Sequence, residues 1–363
     1  MSPPSSNRPT AKGRGAAIDP PNPHERLHIA HDLEHLEGDD EYLTDLGRPP
    51  TAYLTDESQS IVSENNSPDI PFRYSINPYR GCPHGCPYCY ARTTHEYYGL
   101  SAGLDFETKV FVKHRAAELF AEWLARPAWE PEVIAFSGAT DCYQPAEQQF
   151  RLTRACLEVA AACRQPVGVT TKNALVAQDT DLLTAMARDR VVRVTLSLTT
   201  LDADLARRME PRTSTPDARL RTIRELSSAN IPTSVMVAPV IPGLTDREIP
   251  AILEAAAVAG AESAGYQLLR LPGSVEPVFL DWLARTLPEA RARIESQIRS
   301  TRGGSLSDAT FGRRMRGEGE IAAQLVRTFE LFAKKHNLAR PRTELDASRF
   351  RPPTPKGGQQ WLF

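Results

Sequence analysis

The sequence predicts an α/β fold, a partial barrel of six strand–helix units flanked by a disordered N-terminal arm and a helical C-terminal extension. Short β-branched runs alternate along the chain with longer stretches in which apolar residues recur at helical spacing. These runs are almost continuously apolar, which is typical of parallel strands covered by helices. Periodicity does not determine whether such a sheet closes, so an open doubly wound sheet is the alternative.

The first predicted strand, residues 73–76, lies just before a group of three cysteines. The other predicted strands are, in order, 133–137, 167–171, 191–198, 233–238 and 265–270. Helical spacing covers residues 113–125, 146–163, 179–188, 215–229 and 246–258. The predicted divisions of the chain are a mostly extended or disordered arm (1–70), a barrel domain (71–272), a helical extension (273–340) and a flexible tail (341–363).

Composition excludes several classes of protein. A net charge of −2 over 363 residues gives no overall attraction to nucleic acid or to acidic membranes. No stretch is apolar enough to span a membrane, and the N-terminus lacks the apolar segment of a secretory signal, so we expect a cytoplasmic protein. Residues 1 to about 25 have no apolar period, and seven acids between Asp32 and Asp45 predict a solvated arm.

Polar clusters follow the predicted strands. The cysteines come after the first strand, Ser137–Asp141 after the second, Thr171–Asn173 after the third and Pro239–Asp246 after the fifth. Because the active sites of parallel α/β folds lie at the carboxyl ends of the strands, we expect these clusters on one face.

Cys82, Cys86 and Cys89 have the spacing C-x3-C-x2-C. Three thiolates bind zinc if His84 or His95 supplies a fourth ligand. They also bind three irons of a [4Fe–4S] cluster and leave the fourth iron open to another ligand. The absence of a second C-x2-C pair from the sequence favours the cluster.

In this motif, with Tyr88 before the third cysteine, the sequence resembles the radical SAM superfamily. From Pro71 to Pro272 it most resembles spore photoproduct lyase and its uncharacterised bacterial relatives. That resemblance rests on CPYCYAR, SGATD, Thr171-Lys172-Asn173, Glu210-Pro211 with Arg219-Leu220, and VMVAPVIPGLTD. It implies a radical SAM barrel in which S-adenosyl-L-methionine occupies the open iron and is cleaved reductively to a 5′-deoxyadenosyl radical.

The resemblance also implies roles for individual residues. The cofactor-binding candidates are Tyr88, Ser137, Gly138, Asp141, Lys172 and Ser197. Tyr90 corresponds to a tyrosine in the path of the radical, and Cys142 lies beside the position of a hydrogen-donating cysteine. Each has a structural alternative, such as a strand-to-helix turn for SGATD or a semi-buried thiol for Cys142. Cys156 and Cys163, seven residues apart on a predicted helix, are expected in the core.

The expected substrate is a lesion or modified base in DNA or another nucleic acid. The alternatives are a peptide or metabolite as the substrate, or a zinc-stabilised binding module. Eight arginines and three acids between Arg285 and Arg316 predict either a phosphate-binding surface or a solvated helix and loop. An electron donor such as a flavodoxin is an expected partner. The end of the chain, Gln359–Phe363, resembles the peptide that binds the bacterial sliding clamp, or it docks on the barrel itself.

Overall fold

The computed structural model describes residues 13–25 and 49–353, and its main element is a seven-stranded sheet. The sheet has the strand order β10-β9-β8-β7-β6-β3-β2. Its strands are β2 (Val62–Glu64), β3 (Tyr74–Ile76), β6 (Ile134–Phe136), β7 (Val167–Thr171), β8 (Val192–Leu198), β9 (Thr233–Val240) and β10 (Ser263–Leu268).

Six neighbouring strands of this sheet, β3 and β6 to β10, are parallel, and β2 pairs antiparallel with β3 at one edge. The predicted α/β class and the six parallel strands are therefore confirmed. In the part of the chain that the structure covers, β2 and β10 remain unpaired edges, so the sheet is an open, partial barrel. β8 is buried along almost its whole length, which explains its continuous apolar sequence.

Helices connect the strands as the periodicity predicted. The helices up to β10 are Leu104–Thr108, Ala116–Leu124, Glu147–Phe150, Leu152–Cys163, Thr180–Arg188, Ala203–Met209, Pro216–Ser228 and Ile249–Val258. The 3-10 helices in the described residues are Tyr90–Tyr98, Ala174–Asp179 and Asp246–Glu248. Side chains cap two of the helices: Asp202 accepts from the amide of Leu205 (3.0 Å), and Thr215 from that of Ala218 (3.3 Å).

A second, three-stranded sheet lies beside the cysteines. Its order is β1-β5-β4, and its strands are β1 (Ala52–Thr55), β4 (Tyr79–Arg80) and β5 (Lys109–Val112). β4 ends two residues before Cys82 and pairs antiparallel with β5. This small sheet therefore fixes the chain where the cysteine segment begins.

Three helices follow β10: Val275–Thr286, Arg291–Ser300 and Gly319–Lys335. The last packs against helix Ile249–Val258 and β10, with the rings of Tyr266 and Phe329 4.7 Å apart. Beyond it, the amide of Arg351 donates to the carbonyl of Cys163 (2.8 Å). No helix within the described ranges is long and apolar enough to cross a membrane.

Residues 13–25, here called the N-terminal strap, pack on the domain and thus differ from the disorder that their composition predicted. Arg14 and Ala16 are buried, and the amide of Ala16 donates to a carboxylate oxygen of Glu107 (2.8 Å). Backbone groups and one arginine make these contacts, so no apolar period marks the segment. The predicted acidic arm and the clamp-binding peptide, Gln359–Phe363, lie outside the described residues.

Candidate active site at the carboxyl edge of the sheet

The three cysteines lie in one loop between β4 and the 3-10 helix Tyr90–Tyr98, here called the cysteine loop (residues 81–89). Cys82 and Cys86 are buried and Cys89 is half-buried. The amide of Cys82 donates to the carbonyl of Phe106 (2.9 Å), and Arg92 Nε donates to the carbonyl of Cys86 (2.9 Å). The loop therefore makes these bonds through its main-chain groups, and its thiols take no part in them.

Burial raises the pKa of all three thiols. The pKa of Cys82 is raised further by the carboxylate of Asp141 and by the other two cysteines, so the three side chains share one neighbourhood. Without a metal the thiols keep their protons at neutral pH, and metal binding would release them.

Neither nearby histidine completes a zinc site. His84 Nδ1 lies 3.5 Å from Asp141 Oδ2 and its Nε2 lies 3.3 Å from Asn173 Nδ2, while His95 Nε2 bonds the carbonyl of Lys109 (2.8 Å). Within residues 13–25 and 49–353, no three His, Cys, Asp or Glu side chains are grouped to hold a single metal ion. Both histidines therefore have other partners in this structure.

Asp141 joins the loops that follow β6 and β7. Its Oδ1 accepts from the hydroxyl of Thr171 (2.7 Å) and its Oδ2 from the amide of Lys172 (2.8 Å). The same Oδ2 faces His84 of the cysteine loop. The predicted convergence of these three polar clusters is therefore observed at the carboxyl edge.

The turn at Ser137-Gly138 brings the loop after β6 against β3. Ser137 has a φ of 73°, and its hydroxyl accepts from the amide of Cys142 (2.8 Å). An added Cβ at Gly138 would overlap the side chain of Ser75, so only glycine fits there. Tyr90 donates its hydroxyl to the carbonyl of Gly138 (2.9 Å) and remains 43% exposed. This contact links the 3-10 helix Tyr90–Tyr98 to the turn.

A buried charge cluster, here called the Glu210 cluster, lies next to the cysteine loop. Glu210 pairs with Arg219 and, at 3.1 Å, with Lys172 Nζ. Tyr88 donates its hydroxyl to the same carboxylate, as does Thr199 at 2.6 Å. Burial alone would raise the pKa of Glu210, but Arg219 and Lys172 hold it well below its usual range. Glu210 is therefore an anion that orients Tyr88 beside the cysteines.

Lys172 is held at several points. Its ammonium donates to Ser197 Oγ (2.9 Å), Thr199 Oγ1 (2.9 Å) and the carbonyl of Ala238 (2.8 Å). Ser197 in turn donates to the carbonyl of Ala238 (3.0 Å). Lys172 and Ser197, both cofactor-binding candidates, thus meet at the ends of β8 and β9. No role was predicted for Glu210 or Arg219, and the only sequence signal for them was the Glu210-Pro211 and Arg219-Leu220 motif.

Cys142 lies in the hydrophobic core. Its side chain is 1% exposed, and its carbonyl accepts from the hydroxyl of Thr153 (2.6 Å). Burial raises the pKa of this thiol as well. Cys156 and Cys163 are also buried in that core, as predicted.

In the arginine-rich segment, half of the eight arginines between Arg285 and Arg316 are paired with carboxylates in the described structure. The pairs are Arg285 with Asp281 (2.8 Å), Arg291 with Glu295 (2.6 Å), Arg313 with Glu318 (2.8 Å) and Arg314 with Asp69 (2.6 Å). Arg302 is buried and donates to the carbonyl of Leu269 (2.5 Å). These contacts favour a structural role for the segment over a phosphate-binding surface.

Similar solved structures share this fold. Spore photoproduct lyase complexed with dinucleoside spore photoproduct superposes with a TM-score of 0.57 at 18% sequence identity, over 78% of this chain and 79% of that one. Its Y98F mutant gives the same TM-score over 79% and 80% of the two chains. At this identity the likeness concerns the fold.

Sequence comparison identifies the family. An uncharacterized protein of Mycobacterium tuberculosis is 38% identical over 281 residues, which are 77% of this chain and 81% of that protein. An uncharacterized protein of Methanocaldococcus jannaschii is 28% identical over 48% of this chain and 63% of its own length. The family model of the radical SAM superfamily matches residues 76–256, which include the cysteine loop and the strands around it. The chain belongs to the radical SAM superfamily.

Proposed function

We propose that this chain holds one [4Fe–4S] cluster through Cys82, Cys86 and Cys89, cleaves S-adenosyl-L-methionine reductively, and acts on a lesion or modified base in nucleic acid. The observation that carries the first part is the cysteine loop itself. Two buried thiols, those of Cys82 and Cys86, and the half-buried thiol of Cys89 share one neighbourhood in a C-x3-C-x2-C loop at the carboxyl edge of a parallel sheet.

The donor set fits a cluster better than a zinc ion. Three thiolates bind three separate irons and need not converge on one point, whereas tetrahedral zinc needs four ligands around one ion. When bound, the cluster would supply the electron that cleaves the sulfonium of S-adenosyl-L-methionine.

The residues around the loop support binding of a cofactor that carries a carboxylate. The Glu210 cluster places two cations, Lys172 and Arg219, around one carboxylate and so carries a net positive charge. That excess suits the carboxylate of the methionine moiety. The Ser137-Gly138 turn and Ser197 provide polar groups at neighbouring strand ends, and Asp141 fixes the backbone of Lys172.

Two residues remain candidates for handling the radical. The hydroxyl of Tyr90 lies at the partly exposed turn beside Gly138, whereas the thiol of Cys142 is buried in the core. Accessibility therefore favours Tyr90 as the residue that contacts a substrate, and Cys142 would need an opening of the loop after β6 to donate a hydrogen atom.

The nucleic-acid substrate is the finer part of the proposal. Its support is the fold shared with spore photoproduct lyase, whose complex contains a dinucleoside photoproduct. The internal pairing of the arginine-rich segment favours the alternative, a peptide or small metabolite, because it leaves fewer cations for phosphates. Recruitment by a sliding clamp through Gln359–Phe363 and reduction by a flavodoxin-like donor are proposed partners.

The test measures 5′-deoxyadenosine after anaerobic reconstitution and reduction. Cys86→Ala should abolish its formation, since one iron loses its thiolate, whereas Cys156→Ala removes a core thiol and should retain it. Release of 5′-deoxyadenosine by Cys86→Ala would contradict the proposal. Irradiated oligonucleotides and a peptide library, each supplied to the active wild type, then distinguish the two substrate classes by which one is consumed.

A further inference from the structure

The N-terminal strap lies directly on the cysteine loop. An added Cβ at Gly15 would overlap the carbonyl oxygen of Gly85 and lie 3.2 Å from Cδ of Pro87. Both contacts are with the short segment between Cys82 and Cys89. Glycine is thus required at position 15 because two backbones meet there.

Glu107 connects the strap to a cysteine. Its buried carboxylate accepts from the amides of Gly15 (3.1 Å) and Ala16 (2.8 Å) and pairs with Arg92 NH2 (2.5 Å). Arg92, also fully buried, donates its Nε to the carbonyl of Cys86 (2.9 Å). A continuous series of hydrogen bonds therefore runs from the strap through Glu107 and Arg92 to Cys86.

Arg14 anchors the strap at the same place. Its guanidinium donates to the carbonyl of Glu107 (2.7 Å), the carbonyl of Pro49 (2.8 Å) and the hydroxyl of Thr51 (3.0 Å). Burial and, after it, the charge of Arg212 lower its pKa to about 10, so it remains a cation at neutral pH. These three hydrogen bonds offset part of the cost of burying the guanidinium.

The strap continues along the segment that follows the cysteines. An added Cβ at Gly103 would overlap the carbonyl oxygen of Ile18, and the amide of Leu104 donates to Asp19 Oδ1 (2.8 Å). Further along, Asn22 Nδ2 donates to the carbonyl of Glu96 in the 3-10 helix (2.9 Å). Two close glycine contacts and side-chain bonds at both ends therefore give the strap one defined position.

We propose that the strap is a working part of the cluster site: it holds the cysteine loop in the conformation that binds iron and covers that loop against solvent and oxygen. Gly15, Glu107 and Arg92 are positioning residues that act through the backbone of Cys86. The inference rests on the proposed function, because it concerns the loop that would hold the cluster.

The test compares Gly15→Ala with Gly168→Ala in the full-length protein. At Gly168 in β7 an added Cβ would lie 3.6 Å from Arg193 Nε, an ordinary contact, so this variant controls for the loss of glycine. After anaerobic reconstitution, iron and sulfide content, the electron paramagnetic resonance spectrum of the reduced protein and the rate of bleaching in air are measured. We expect Gly15→Ala to bind iron about tenfold more weakly or to bleach about tenfold faster, with an altered spectrum.

Circular dichroism of the metal-free variant shows whether it has folded. If Gly15→Ala does not fold, Arg14→Gln, which leaves the loop contact at Gly15 in place, should still speed the bleaching. Iron content, spectrum and bleaching rate equal to those of Gly168→Ala in a folded variant would overturn the inference. A wild-type protein that takes up no iron would instead refute the proposed function, so the two failures are distinguishable.

Discussion

Two buried carboxylates lie on either side of the cysteine loop, and they have different surroundings. The Oε1 of Glu107 pairs with one guanidinium, that of Arg92, and also accepts from the amide of Ala16, while its Oε2 accepts from the amide of Gly15. Glu210 pairs with Arg219 and Lys172 and accepts from Tyr88 and Thr199. The strap thus covers Glu107, whereas Glu210 lies among the strand ends where the polar clusters meet.

This difference indicates that the two carboxylates have different roles beside the loop. Main-chain amides and carbonyls satisfy the Glu107 side, as is usual where a group has only to hold a conformation. Long cationic and hydroxyl side chains surround Glu210, and their two positive charges exceed that of the one carboxylate. The comparison predicts that changes at Glu210 alter both stability and cofactor chemistry, while changes at Glu107 act mainly on the loop.

The largest effect is expected from Glu210→Gln. It leaves Arg219 buried and Lys172 half-buried without a counter-charge, so the free energy of unfolding should fall by about 3–5 kcal/mol. Urea denaturation of the metal-free protein under reducing conditions measures this. Asp204→Asn, which breaks the exposed pair with Arg207, is the control and should leave the midpoint unchanged. A midpoint for Glu210→Gln equal to that of the control would contradict the assignment of a buried charge cluster.

Glu107→Gln should have a smaller effect on stability. Arg92 keeps its bonds to the carbonyls of Cys86, Ala102 and Gly103, and the new amide oxygen still accepts one strap amide. We expect a loss of about 2–3 kcal/mol in the same denaturation experiment. A loss larger than that of Glu210→Gln would reverse the proposed ranking of the two sites.

Lys172→Met separates stability from chemistry. Arg219 still neutralises Glu210, and methionine avoids the cost of burying an ammonium. The free energy of unfolding should therefore change by no more than about 1 kcal/mol. Cleavage of S-adenosyl-L-methionine should nevertheless fall by about tenfold. Stopped assays for 5′-deoxyadenosine over a range of cofactor concentrations measure it. Unchanged kinetics would show that the positive charge of the Glu210 cluster serves only the fold.

Cys142→Ala should have the smallest effect. Because its thiol is buried in the core, we expect unchanged cofactor cleavage and an unchanged product distribution with whichever substrate is found. Mass spectrometry of the products provides the measurement. A shift towards radical adducts would instead support the hydrogen-donor role and would mean that the loop after β6 opens during turnover.

Much of this architecture could be predicted from the sequence because its signals are local. Continuous apolar runs such as the one in β8 reveal parallel strands, and the spacing of Cys82, Cys86 and Cys89 predicts a metal-binding loop. Because Asp141 and Lys172 follow predicted strands, their place at the carboxyl edge of the sheet could be predicted.

The missing parts depend on contacts between distant segments. The strap docks through amides and polar side chains, among them Arg14, Asp19 and Asn22, which leave no apolar period to detect. Some partners of the arginine-rich segment lie outside it, such as Asp69 for Arg314 far away in the chain and Glu318 for Arg313 just beyond it, so counting charges within the segment overestimated its free positive charge. Lys172 directly follows β7, and Glu210 directly follows helix Ala203–Met209. Their pairing likewise appears only when the fold brings these two segments together.

The central claim is that the cysteine loop holds an iron–sulfur cluster. It is tested most directly by anaerobic analysis of iron, acid-labile sulfide and zinc in the full-length protein, alone and as Cys82→Ala. The account predicts about four irons and about four sulfides per wild-type chain, and their loss in Cys82→Ala without unfolding of the sheet. Stoichiometric zinc without sulfide in the wild type would contradict it.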